Sequence, residues 1–207
     1  LSFFYKTEID IEGKEKEKEI IINPEKVLEV LNLLKDNEIN LFFEKNSFIV
    51  QTEKVKSRFS FSQEKDYPLP PEIKNKFELS SSLFSQVLPY ILFSTSNDES
   101  KAVLTGVNIL KKDEFLIFAA TDGYRLSVYK IKGVNVFLEE EENIILPSDF
   151  LKIVQRVIDK KEKIKIGFDK KDKIFLIEID NDQFFSRIID EEFPPFEQVI
   201  PDNFNTE

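Results

Sequence analysis

The chain has 207 residues with 29 Lys and Arg against 39 Asp and Glu, and its net charge of −10 argues against a general nucleic-acid coat. Apolar residues are 41% and charged residues 33% of the chain, enough for real cores in one large domain or two small ones. The absence of His, Cys, Met and Trp excludes His- or Cys-based zinc sites, Ser/His/Asp triads, thiol nucleophiles, haem ligation and disulfides, leaving carboxylates, Lys, Tyr or Ser for any catalysis.

Phe3, Tyr5, Thr7, Ile9 and Ile11 alternate with polar residues and predict an opening strand. The start LSFFYKTEID lacks the layout of a signal peptide, and no run approaches the roughly 18 apolar residues that cross a bilayer. Both features give the expectation of a soluble, cytoplasmic protein, and the missing initiator Met with the immediate strand pattern that of a piece of a longer one. KEKEKE at 14–19 reads as a solvated hairpin tip or strand edge, where charge discourages edge pairing. In IIINPEKVLEVLNLLK, residues 20–35, a β-branched run leads through Pro24 into a helix with Val27, Leu28, Leu31 and Leu34 as its apolar face. Ile39, Leu41 and Phe43, then Phe48–Val50, then SRFSF predict strands, and Tyr67-Pro68 ends the unit. Pro68–Lys76 reads as a linker with nothing to bury.

A second helix is predicted from Ser80 to Phe93, capped by the serine run and open to a kink at Pro89. AVLTGVNIL and FLIFAATDGYRLSVYKI predict strands, the latter a hairpin turning at Asp122-Gly123. The five glycines stand ten or more residues apart, too far for a phosphate-cradling loop. The run Glu139–Glu142 is expected to be solvated rather than a metal site, because adjacent loop carboxylates diverge. ILPSDFLKIVQRVID then repeats residues 20–35, with Pro147 falling on Pro24 at an offset of 123. It predicts a helix from Ser148 to about Lys161, with Phe150, Leu151, Val154 and Val157 toward the core. Lys152, Arg156 and Lys160 stand at i, i+4 and i+8 on the opposite side, which suits either a phosphate backbone or a solvated face. Ile164, Ile166, Phe168, Ile174–Ile179 and QFFSRIIDEEFPPFEQVI repeat the strands, and Phe193-Pro194 matches Tyr67-Pro68 at an offset of 126. The fold class is therefore α+β, in tandem repeated domains of helices packed on antiparallel sheets.

ATDGYRLSVY, ILPSDFLKIVQRVI and FFSRIIDEEFPPFEQVIP, in this order and spacing, resemble the middle domain of the bacterial sliding clamp, the beta subunit of DNA polymerase III. The resemblance implies a DNA-clamp fold, with 1–71 the latter part of a first domain, 72–76 a linker, 77–202 a complete second domain and 203–207 the start of a linker toward a third. It implies a non-enzymatic, cofactor-free homodimeric ring around duplex DNA, bacterial and nucleoid-associated, bound without sequence preference. The DNA-facing candidates are Lys152, Arg156 and Lys160, with Lys26, offset by Glu25 and Glu29, and Lys101. It also implies a peptide cleft for the polymerase III catalytic subunit, the clamp loader and other motif-bearing proteins. The matching positions are Leu104, Thr121, Gly123, Tyr124, Arg125, Leu126, Pro194 and Val199, with Tyr124 standing where the family usually has His. Two other readings compete: a carboxylate-dependent metal nuclease using Asp122 and Glu139–Glu142, and a stand-alone peptide-binding module.

Overall fold

In the computed structural model, which describes residues 3–7, 12, 20–35, 38–62, 69–134, 138–140, 142–158 and 163–201, the chain falls into two units, Leu1–Asp10 with Pro70–Glu207 and Ile11–Leu69. KEKEKE, Tyr67-Pro68 and 203–207 lie outside the described residues. The opening strand β1 (Phe3–Lys6) belongs to the larger unit.

In the smaller unit, helix α1 (Pro24–Leu33) starts where Asn23 Oδ1 accepts the Glu25 amide at 3.0 Å. Strands β2 (Asn40–Glu44), β3 (Ser47–Gln51) and β4 (Lys56–Ser60) form an antiparallel meander. Val27 of the helix is buried with Phe48 and Val50, and Leu31, Leu34, Phe43, Phe59 and Phe61 close around them. Leu28, expected on this face, is instead 54% exposed.

The larger unit is built from two copies of one strand-helix-three-strand motif. The first runs β5 (Lys76–Ser80), α2 (Ser81–Ile91), β6 (Gly106–Lys112), β7 (Phe115–Thr121) and β8 (Leu126–Lys132). The second runs β9 (Asn143–Pro147), α3 (Ser148–Val157), β10 (Lys163–Asp169), β11 (Ile174–Ile179) and β12 (Asp182–Arg187). The buried set Ser81, Leu83, Phe84 and Val87 of α2 recurs 67 residues later as Ser148, Phe150, Leu151 and Val154 of α3. Each motif gives its first strand to the other's sheet: the orders are β8-β7-β6-β9 and β1-β12-β11-β10-β5, antiparallel throughout. Residues of both helices and both sheets share one apolar core.

Several expectations are corrected. The opening strand, expected with the first copy, pairs with β12, placing Tyr5 opposite Phe184. Residues 102–105 are not strand but the end of a 3₁₀ segment, Glu99–Thr105, capped by Asp98. Gly106 then opens β6, where a Cβ would lie 2.5 Å from Ile145 Cγ2. Helix α2 passes through Pro89, stops at Ile91 and continues as a 3₁₀ turn over Leu92–Ser94. Helix α3 ends at Val157, with Ile158 extended, and Val157 is 45% exposed rather than in the core. The supposed linker does bury something. Ile73 is only 6% exposed, packed with Ile174, Leu176, Phe185 and Phe4. Gly167 leaves room for it, since a Cβ there would stand 2.7 Å from Ile73 Cγ2.

Candidate functional site

The turn between β7 and β8 is held by its own side chains. Gly123 takes φ +91°, open to glycine at no steric cost. Thr121 Oγ1 accepts the Gly123 amide at 3.0 Å and donates to the Arg125 carbonyl at 2.6 Å. Asp122 Oδ1 accepts the amides of Tyr124 and Arg125 at 2.9 and 2.8 Å, and Oδ2 takes Arg125 Nε and Nη2 at 3.0 and 2.8 Å. The Arg125 amide first, then the Tyr124 amide and the guanidinium, hold the Asp122 carboxyl down at about 2. Arg125 also lies over the Phe93 ring, 5.9 Å from its centre. The guanidinium is thus committed before any ligand arrives, and any carboxylate or carbonyl it binds must use its remaining donors.

On the other face of the hairpin, Leu126 and Val128 pack with Ile117, Ala119, Phe193 and Phe196. Phe196, 7% exposed, anchors a 3₁₀ turn, Phe196–Val199, and its amide donates to the Pro194 carbonyl at 2.7 Å. Lys112 Nζ fastens the same turn at 2.7 Å from Glu197. Pro194 and Val199 therefore sit on a segment nailed to the face that Leu126 belongs to, and Val199 is 69% exposed. Tyr124 stands at the tip, 97% exposed. Leu104 is 8% exposed at the end of the 3₁₀ segment, so it is packed rather than an open wall. Sequence reasoning missed Phe193 and Phe196 as the anchors. Their signal was the aromatic pair bracketing Pro194-Pro195.

Of the basic candidates, Lys152 and Arg156 both lie on α3, the first half-buried and the second exposed. Lys152 Nζ is 2.8 Å from Asp149 Oδ1. Lys160 lies outside the described residues. Lys26 is exposed on α1, and Lys101 is exposed at a non-helical break in the 3₁₀ segment. The acidic run is engaged by lysines: Lys170 reaches Glu139 at 3.2 Å and Glu142 at 2.8 Å, and Lys111 approaches Glu140 at 3.6 Å. Among the described residues no group of three or more Asp or Glu converges on a metal position, and the oxygens of Asp122 are taken by the turn. The nuclease reading finds no support here.

Residues 78–195 match the family model for the DNA polymerase III beta subunit, central domain. A beta sliding clamp of Staphylococcus aureus (strain N315) is 32% identical over 141 residues, which is 67% of this chain and 36% of that protein. The chain thus spans about a third of the length of the curated relatives it matches. The fold superposes on a DNA polymerase III beta subunit of Thermotoga maritima with a TM-score of 0.83 at 22% identity, covering 98% of this chain and 55% of that one. For the Helicobacter pylori beta clamp bound to a DNA ligase peptide, the TM-score is 0.86 at 21% identity, over 98% and 57% of the two chains. The chain belongs to the family of the DNA polymerase III beta subunit, the bacterial beta sliding clamps.

Proposed function

We propose that this chain is part of a non-catalytic processivity clamp. Full-length subunits pair into a ring around duplex DNA, and short linear motifs of the polymerase catalytic subunit, the clamp loader and other proteins dock at a cleft formed by Leu104, Thr121, Gly123, Tyr124, Arg125, Leu126, Pro194 and Val199. Retention is topological: a docked polymerase cannot diffuse from a ring that cannot leave the duplex, so its local concentration rises. The DNA-facing set Lys152, Arg156, Lys160, Lys26 and Lys101 supplies only sequence-independent attraction. The protein works in the cytoplasm, at the nucleoid.

The observation that carries the cleft is the shared apolar face of Leu126, Phe193 and Phe196, beside an exposed Val199 and a fully exposed Tyr124. Apolar walls next to a few fixed polar groups suit an extended peptide. The Helicobacter relative was solved with a DNA ligase peptide, which supports the same class of partner. The test is fluorescence polarisation with a labelled peptide carrying the clamp-binding motif of the polymerase catalytic subunit. Val199→Asp and Tyr124→Ala, both at exposed positions, should weaken binding about tenfold or more, on the order of 1.4 kcal/mol. Unchanged affinity in both variants removes the cleft assignment.

A further inference from the structure

We propose that Asp149 attenuates DNA binding by α3, its carboxylate competing with backbone phosphate for Lys152; this rests on the reading that α3 faces DNA. The Asp149 side chain is 82% exposed and sits 2.8 Å from Lys152 Nζ. It has no capping duty, because Pro147 occupies the N-cap of α3 and no side chain caps the helix. Its repeat-related positions are not acidic. On α2, 67 residues earlier, Ser82 and Ser85 stand where α3 has Asp149 and Lys152. On α1, 123 residues earlier, the pair is reversed, with Lys26 in place of Asp149 and Glu29 in place of Lys152.

The three α-helices together carry three acids (Glu25, Glu29, Asp149) and three bases (Lys26, Lys152, Arg156), and α2 carries no charge. The helices are therefore electrically balanced, and Arg156 is the α3 cation without an ion-pair partner among the described residues. An exposed ion pair is marginal in water, but while Asp149 holds Lys152 the ammonium is already neutralised and does not make a full phosphate contact, and the carboxylate faces a backbone of its own sign. The consequence is weak, easily broken attraction, suited to a protein that must slide.

The test measures binding of the chain to a labelled 30-base-pair duplex by anisotropy, from about 50 to about 200 mM salt. Asp149→Asn adds one phosphate contact, so the slope of log K against log salt steepens by about 0.9, and the variant's advantage over the parent is about 3.5-fold larger at the low-salt end. In a Lys152→Gln background the same change leaves the slope as it was. A parent that binds while D149N shows the parental slope overturns the inference, as does steepening that persists without Lys152. Failure of both parent and D149N to bind at the lowest salt removes the DNA reading of α3 itself, and this inference with it. Melting temperatures are read alongside: a purely structural role for Asp149 moves them and leaves the slope alone.

Discussion

Gly167 and Ile73 offer a double-mutant cycle in which the structure dictates the sign of the coupling. Ile73 is 6% exposed over β10–β12. Ile73→Ala removes most of a buried side chain from a small satellite cluster and should cost about 2–3 kcal/mol, the lower part of the range for such truncations. Gly167→Ala places a Cβ 2.7 Å from Ile73 Cγ2 and 3.1 Å from the Asn75 carbonyl, and overpacking of this kind costs about 1–3 kcal/mol. Independent effects would sum to about 3–6 kcal/mol. The two sites share one volume, however: once Cγ2 is gone, the new methyl fills part of the space vacated. The double variant should therefore lose only about 2–3 kcal/mol, a favourable coupling of about 1–3 kcal/mol. The assay is urea denaturation followed by far-ultraviolet circular dichroism, with hydrogen exchange assigning the transition that contains β10–β12. Additivity within about 0.5 kcal/mol would refute the claim that the segment before β5 is seated on Gly167.

The repeat supplies a paired test in Leu28 and Leu151, which are equivalent at an offset of 123 but 54% and 0% exposed. Leu151→Ala should cost about 2–5 kcal/mol and Leu28→Ala under about 1 kcal/mol by the same denaturation assay. Among the described carboxylates, Glu44, Glu78, Asp98 and Asp182 are lowered and Asp122 and Glu178 are held lowest. Asp122 is held at about 2, against 3.8 in the unfolded chain. Burial pushes Glu178 up, but Lys76, Gln183 and Lys165 together bring it down to about 2 from 4.5. Both folded-state values are depressed, so their stabilisation is present above the unfolded values and is lost as pH falls through about 2. Melting temperature should fall between about pH 4.5 and 2, and the fall should be shallower in Asp122→Asn and Glu178→Gln.

Where one local rule governed the outcome, the sequence was readable. A Pro-led start and apolar residues at helical spacing marked both α1 and α3, and alternation marked the strands that follow each. The end of α3 was not readable, because Val157 continues the apolar spacing but the helix stops there and leaves it half in water. Residues 102–105 look like strand by composition, yet they wind into a 3₁₀ turn after the non-helical break at Lys101, with Thr105 Oγ1 donating to the Ala102 carbonyl at 2.7 Å. The 67-residue repeat inside the larger unit is hidden in the sequence because Pro147 leads one helix and Ser80 caps the other. The turn at Asp122-Gly123 was legible as a turn, but not the commitment of Arg125 to Asp122 and Phe93, which depends on a helix end 32 residues earlier in the chain. The proposed cleft positions came from resemblance alone. The packing of Phe193 and Phe196 against Leu126, which anchors the segment of Pro194 and Val199, follows from tertiary structure.

The reciprocal placement of β5 and β9 has a mechanical consequence. With β5 hydrogen-bonded to β10 and β9 to β6, the two halves of the larger unit are clasped like hooked fingers, and cutting the connection between β8 and β9 would free neither. The five-stranded sheet also closes only after strands more than 80 residues apart, Lys76–Ser80 and Lys163–Asp169, have met. Such distant pairing makes folding slow and cooperative. Once closed, the clasp resists any pull that would peel one motif from the other, because each sheet holds a strand of both.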